Sequence, residues 1–191
     1  MVSPLVNYLQ SFNVLPAGMV ATVCEGFDEV RLKRNQFFLK EGQVCKTLGF
    51  VESGLLVYYR LAENGQEIVA DFAQENEWVC QYQSFINSVP SALFIKAVEP
   101  CVIHTITLDN LNRLYSAIPG FEKLAKQLIE AAFMQMVNRQ LEFQHLRAEE
   151  RYERMLLVYP SVAQRVPQYY IASFLGIAPP SLSRIRKNRA G

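Results

Sequence analysis

Residues 171–187 read IASFLGIAPPSLSRIRK, an apolar stretch broken by one glycine and two prolines that then turns basic. Ile171 to Leu175 predicts a short helix closing at Gly176, because glycine readily takes the left-handed conformation that ends helices. Pro179 and Pro180 predict the start of a second helix, where the first N–H groups have no intrahelical partner to lose. Leu182 and Ile185 then fall three apart on one face. With Ile171, Leu175 and Ile177 they make a small core between two crossed helices, and Ala172 is small where the helices approach. This is the spacing of a helix-turn-helix. If Leu182 and Ile185 point inward, Ser181, Arg184, Lys187 and Asn188 point outward together, a stripe suited to the major groove of duplex DNA. Arg184 suits a bidentate contact to guanine, while Ser173, Ser181 and Lys187 suit phosphate or sugar. Ser183, Arg186 and Arg189 complete the expected DNA-facing set.

Charge supports the same reading. The chain of 191 residues carries a formal net charge of +1, yet no Asp or Glu follows Glu153. The tail beyond it holds Arg154, Arg165, Arg184, Arg186, Lys187 and Arg189, so the preceding residues sum to about −5 (+1 less the six tail cations). A basic end on an acidic body is an electrostatic footprint for a polyanion.

Composition excludes several classes. With 50% hydrophobic and 19% charged residues the chain can bury a real core. No apolar run approaches the ~20 residues that cross a bilayer, and the N-terminus MVSPLVNYLQSF has no basic start, so a cytoplasmic protein without a membrane partner is expected. Cys24, Cys45, Cys80 and Cys101 are far apart with no C-x-x-C pair, which predicts reduced, mostly buried thiols and no metal site. His104 falls in a strand-like run and His145 in a helical one, too isolated to build a metal centre. No nucleophile–base set, metal motif or phosphate loop is present, so no catalytic residue is assigned and no enzyme is expected.

Three regions follow along the chain. PLVNYLQSF and PAGMVATVCEGF predict opening helices. From Phe27 the period shortens to strands divided by turns at Gly42, Ser53-Gly54 and Asn64-Gly65, with VYYRLA and QEIVADF forming a hairpin around Glu63-Asn64-Gly65. ALFIKAVE and CVIHTITL add strands, and many short strands at close spacing suggest a small barrel or jelly roll. After Leu108 the pattern is helical. DNLNRLYSAIP predicts one short helix, and residues 120–146 a long one of about 40 Å. Ile129, Ala132, Met136 and Phe143 recur on it at helical spacing, with Arg139 interrupting and Leu124, Leu128 and Val137 widening the apolar surface. A barrel covers one side of such a helix; a second copy of the chain is expected to cover the other. AEERYERMLLVYP predicts a further helix ending at Pro160. The fold class is thus α+β: an N-terminal jelly-roll barrel with flanking helices, a long dimerisation helix and a C-terminal helix-turn-helix. The corresponding segments are 1–118, 119–147 and 148–191.

IASFLGIAPPSLSRIRK resembles the helix-turn-helix of the Crp–Fnr family of bacterial transcription regulators. FFLKEGQVCKTLGFVESGLLVYYRLAENGQEIVADF is similar to that family's cyclic-nucleotide-binding-type jelly roll, and the order of parts agrees along nearly the whole chain. The resemblance implies a homodimeric, sequence-specific regulator that binds double-stranded DNA, with RNA polymerase as a further partner open to it. A ligand-binding signalling module acting on a protein partner is the alternative.

The sequence departs from the family pattern in three places. Nucleotide-binding members surround the cyclic phosphate with a Gly-Glu pair and an Arg-Ser-Ala run; here the places read Asn76-Glu77-Trp78 and Pro90-Ser91-Ala92-Leu93. No arginine occurs between Arg60 and Arg113, and Lys96 is the one lysine there. A buried phosphate without a fixed cation is badly compensated. The candidate effector pocket, Glu77, Trp78, Ser91 and Ala92, is therefore expected not to take cyclic AMP, and no cofactor or other effector is assigned. Pro179-Pro180 replace the usual polar residues at the start of the reading helix, leaving base readout chiefly to Arg184. The given sequence stops at Arg189-Ala190-Gly191, so a full β-hairpin wing is not expected. The oxygen-sensing branch would want an N-terminal cysteine cluster, and the haem-sensing branch an axial ligand; neither is evident.

Overall fold

A computed structural model describes residues 3–16 and 18–190, apart from the side chains of Phe143 and Ala190. Helices α1 (Pro4–Ser11) and α2 (Met19–Glu25) open the chain. Eight strands follow: β1 (Asp28–Leu32), β2 (Phe37–Leu39), β3 (Thr47–Ser53), β4 (Leu56–Leu61), β5 (Glu67–Ala73), β6 (Trp78–Val79), β7 (Phe94–Ala97) and β8 (Cys101–Thr107). Helix α3 (Tyr82–Asn87) lies between β6 and β7. The rest is helical: α4 (Leu108–Ala117), α5 (Phe121–His145), α6 (Ala148–Val158), α7 (Val162–Arg165), α8 (Gln168–Phe174) and α9 (Pro179–Ala190).

The strands form two four-stranded antiparallel sheets, ordered β1-β8-β3-β6 and β2-β7-β4-β5. This is the jelly-roll arrangement that the short-strand pattern predicts. The β3–β4 turn depends on Gly54, whose φ of +98° and close approach to Pro100 leave no room for a Cβ. The predicted hairpin is β4–β5. Its turn residues Ala62–Gln66 lie between the paired residues Leu61 and Glu67, and Asn64 Oδ1 accepts from Gln66 N at 3.0 Å.

Alternation along the strands divides the apolar residues into two cores. The inner one lies between the sheets and under α1, α2, α4 and the start of α5; Phe50, Ile95, Ile103 and Leu124 are among its fully buried members. The outer one covers the other face of the β2-β7-β4-β5 sheet. There Val57, Tyr59, Val69, Phe72 and Val98 meet Tyr152, Met155, Tyr159, Val162, Ile171, Leu175 and Leu182 from α6 to α9 and their connections. The strand face outside the barrel and the C-terminal helices therefore share one packed layer.

Candidate nucleic-acid interface

Helix α8 ends as the glycine predicts. Gly176 adopts φ +67°, its N–H donates to Ser173 O at 3.0 Å, and Ile177 N donates to Ala172 O at 3.0 Å. These two bonds form a Schellman end, which satisfies carbonyls that the helix itself leaves open. Pro179 and Pro180 begin α9, and Ser181 N donates back to Ala178 O at 3.0 Å. Ile171, Ala172, Leu175, Leu182 and Ile185 are all buried, with Ile177 half-buried beside them. Two short helices, α8 and α9, thus meet at a glycine turn.

Burial at Leu182 and Ile185 turns the intervening positions outward. Ser183, Arg184, Arg186, Lys187, Asn188 and Arg189 are exposed, and Ser181 is half-buried. Among the described residues no ion pair engages Arg184, Arg186 or Lys187, whereas Arg189 Nε lies 2.9 Å from Glu153 on α6. Ser183 donates its hydroxyl to Pro179 O at 3.2 Å within α9.

Ser173 differs from the rest of the predicted set. It is half-buried, and its hydroxyl is committed to the barrel: it accepts from Val69 N at 2.9 Å and donates to Glu67 O at 3.2 Å. The tail's cations also divide. Arg165 grips Glu75 with two hydrogen bonds of 2.7 and 2.8 Å and also binds Glu99, while Arg154 holds Glu142 at 2.7 Å. Net charge at the end of the chain thus overstates what faces solvent: Arg154, Arg165 and Arg189 have carboxylate partners from earlier elements.

Two further polar knots tie the helices to the barrel. Tyr159 OH donates to Asp71 Oδ1 at 2.8 Å and accepts from Arg139 at 2.7 Å, and Arg139 also pairs with Asp71 directly. Arg139, which breaks the apolar spacing of α5, breaks it in order to reach β5. Burial, and then the Asp71 carboxylate, push the Tyr159 phenol far above its ordinary value. In the second knot Lys96 binds Glu67 at 2.9 Å and lies over the rings of Tyr59 and Tyr170. Burial alone would raise the Glu67 carboxyl, but hydrogen bonds from Lys96 and Tyr170 outweigh it and hold it below the usual range.

Of the predicted effector pocket, Glu77, Trp78 and Ser91 make hydrogen bonds within the fold. Trp78 turns toward α1, its Nε1 donating to Tyr8 OH at 3.3 Å and its ring edge-on to Phe50. Ser91 is buried, its hydroxyl donating to Leu93 O and accepting from Leu93 N, and its backbone holds the turn at Gly42 and Gln43. Ala92 is exposed. Glu77 accepts from Gln74 N at 3.0 Å, and burial pushes its carboxyl up to about 7. The cleft between the β4–β5 hairpin and the helix-turn-helix is lined by none of these four. Sequence reading missed α3, whose N-terminus the Gln81 side chain caps and whose Ser84 hydroxyl accepts from Cys45 N at 2.8 Å.

On α5, Ile129, Ala132 and Met136 are exposed, at 46% for Ile129 and 61% for Met136; the side chain of Phe143 lies outside the described residues. Phe133, which sequence reading left out, joins them at helical spacing and is 57% exposed. Leu124 and Leu128 turn the other way, into the inner core. The four cysteines are free thiols, and among the described residues no group of His, Cys, Asp and Glu could hold a metal ion. His104 pairs with Glu52 on the neighbouring strand. No helix among the described residues is long and apolar enough to cross a membrane.

Comparison with known proteins fits this architecture. Residues 29–117 match the cyclic nucleotide-binding domain family. FixK2 from Bradyrhizobium japonicum superposes with a TM-score of 0.72 at 14% identity, covering 85% of this chain and 83% of that one. A candidate transcriptional regulator of the crp/fnr family from Eubacterium rectale gives 0.70 at 17%, covering 95% and 87%. The chain has the Crp–Fnr fold. CLP, a global regulator from Xanthomonas campestris responsive to c-di-GMP, shares that fold with a TM-score of 0.65 at 18% identity over 92% of both chains. No curated protein matches the sequence. Within the Crp–Fnr fold, β4–β5 is the hairpin nearest the helix-turn-helix here, and α5 is the long helix between barrel and tail.

Proposed function

We propose that this protein is a homodimeric, sequence-specific DNA-binding transcription regulator. One observation carries the reading: a tightly turned helix pair whose second helix leaves Arg184, Arg186 and Lys187 exposed and, among the described residues, without carboxylate partners. A guanidinium on a groove-sized helix suits guanine, and the flanking cations suit phosphate. The Crp–Fnr fold supports it, and the exposed row Ile129, Ala132, Phe133 and Met136 on α5 is suited to a second copy of the same helix. Two such motifs would read a near-palindromic site. The protein would work in the cytoplasm, and RNA polymerase would be a partner of the DNA-bound dimer.

Cyclic AMP is not its effector in this reading. The carboxylate of Glu77 would face the phosphate, and the Ser91 hydroxyl is spent on Leu93. Calorimetry with cyclic AMP tests this, and micromolar binding would overturn it.

Fluorescence anisotropy with a pool of genomic duplexes tests the main claim. Arg184→Ala should weaken specific binding by about ten- to a hundredfold and non-specific binding far less, as a lost bidentate base contact predicts. Three cations per protomer predict a log–log salt slope near −5 for the dimer. Equal loss on all sequences would refute base reading by Arg184.

A further inference from the structure

Helix α9 opens on a surface with no backbone hydrogen-bond donor to give. Pro179 and Pro180 carry no N–H, and the next two amides are spent locally: Ser181 N donates to Ala178 O at 3.0 Å, and Leu182 N donates to the same oxygen at 3.3 Å. The Ser183 hydroxyl closes over Pro179 O at 3.2 Å. Ala178, Pro179 and Pro180 are all exposed. The two proline rings stand on different sides of the helix. At about 100° per residue, Pro180 lies almost opposite the midpoint of buried Leu182 and Ile185, and exposed Arg184, four residues on, shares that outward face. Pro179 stands on a flank, lining the cleft shared with Gln66 and Glu67 of the β4–β5 hairpin.

A donorless ring has few compatible neighbours in a major groove. Purine N7, guanine O6 and thymine O4 are acceptors there, and the amino groups of cytosine and adenine are donors; a proline ring laid over any of them leaves it unpaired. The 5-methyl of thymine is the one apolar group that a base edge projects into that groove. Residues at the start of a reading helix sit nearest the base edges, so a side chain as short as proline reaches them. Four residues of helix advance ~6 Å, against ~3.4 Å per base pair. We propose that Pro180 is a specificity residue: its ring packs on the 5-methyl group of a thymine within about two base pairs of the guanine read by Arg184. This rests on the DNA reading above and deepens it. Arg184 reads by hydrogen bonds and Pro180 by apolar contact, so each half-site carries a thymine near its guanine.

The test uses the full chain. Duplexes that the protein selects from a randomised pool define its preferred site. Each thymine of that site is then replaced by uracil, which removes the methyl group and keeps every hydrogen bond of the base pair. Fluorescence anisotropy should show an affinity loss of about fourfold per half-site at one thymine near the guanine, the worth of one buried methyl group. Pro180→Ser should bring that ratio to about one, while Pro179→Ser should leave it near fourfold. The uracil comparison on the parent protein needs no variant, so it stands even where a substitution disturbs the fold. A preferred site in which no thymine responds to uracil overturns the assignment and leaves the DNA reading standing. So does a uracil penalty that survives Pro180→Ser, or one that only Pro179→Ser removes. Failure to select any preferred site overturns the DNA reading and the thymine contact with it.

Discussion

The two cores of this molecule are closed in different ways. The inner one, around Phe50, Ile95 and Ile103, is walled by both sheets and the flanking helices. The outer one, where Val57, Phe72 and Val98 meet Ile171, Leu175 and Leu182, is ringed by three charged knots centred on Arg139, Arg165 and Lys96. Apolar burial is non-directional and sets only that two surfaces stick. Charged pairs with fixed geometry add little net stability but choose one seating over its neighbours. The contrast teaches that the barrel is held together by area, while the C-terminal helices are also held in register.

Truncation in each core is the strongest way to break that comparison. Phe50→Ala should cost about 3–5 kcal/mol and destabilise the whole barrel in chemical denaturation, because Phe50 is fully buried. Ile171→Ala should cost about 2–4 kcal/mol and loosen the C-terminal helices first, leaving strand signals by circular dichroism intact. A single shared transition for both variants would show that the two cores are one cooperative unit. Arg165→Met strips the shared partner from Glu75 and Glu99 and should cost about 2 kcal/mol by urea titration, less than a fully buried pair since its side chain is 21% exposed.

Glu77 sharpens the comparison through pH. Its carboxyl is raised to about 7, with burial the main cause. The folded state therefore holds a proton that the unfolded state has released, and stability falls as pH rises from about 4.5 to 7. Glu77→Gln should flatten that slope and add on the order of 1 kcal/mol at pH 8, discounted for the group's partial exposure. A variant with the parent's slope would place the titration elsewhere. The smallest effects belong to the exposed pairs: Arg154→Ala and Arg189→Ala should each change stability by less than about 0.5 kcal/mol in the same titration.

Sequence periodicity made the long elements legible. The β4–β5 hairpin, α5 and the glycine-turned pair α8–α9 all lie where apolar spacing and turn residues place them. Helix α3 was not legible, because Tyr82–Asn87 is too short for a helical period and its cap is a glutamine side chain. The candidate interface was legible as a stripe at Arg184, Arg186 and Lys187, since Leu182 and Ile185 fix which way α9 faces. What spacing could not show is which polar residues the fold itself consumes. Ser173 and Arg165 have the right chemistry for phosphate, but their partners, Val69, Glu67, Glu75 and Glu99, are 66 to 106 residues away in the chain. Only tertiary contact reveals such bonds. The same holds for the segment line at residue 147: it falls in the short link between α5 and α6, yet the outer core crosses it.

Strand β5 ends its sheet, and α8 lies over the open margin where another strand would otherwise add. Lifting that helix would bare unpaired backbone groups beside Val69 and Phe72, a template for sheet extension between molecules. Time spent unclasped is therefore also time at risk of clumping. Holding α8 against β5 thus guards the molecule against self-association through this sheet margin.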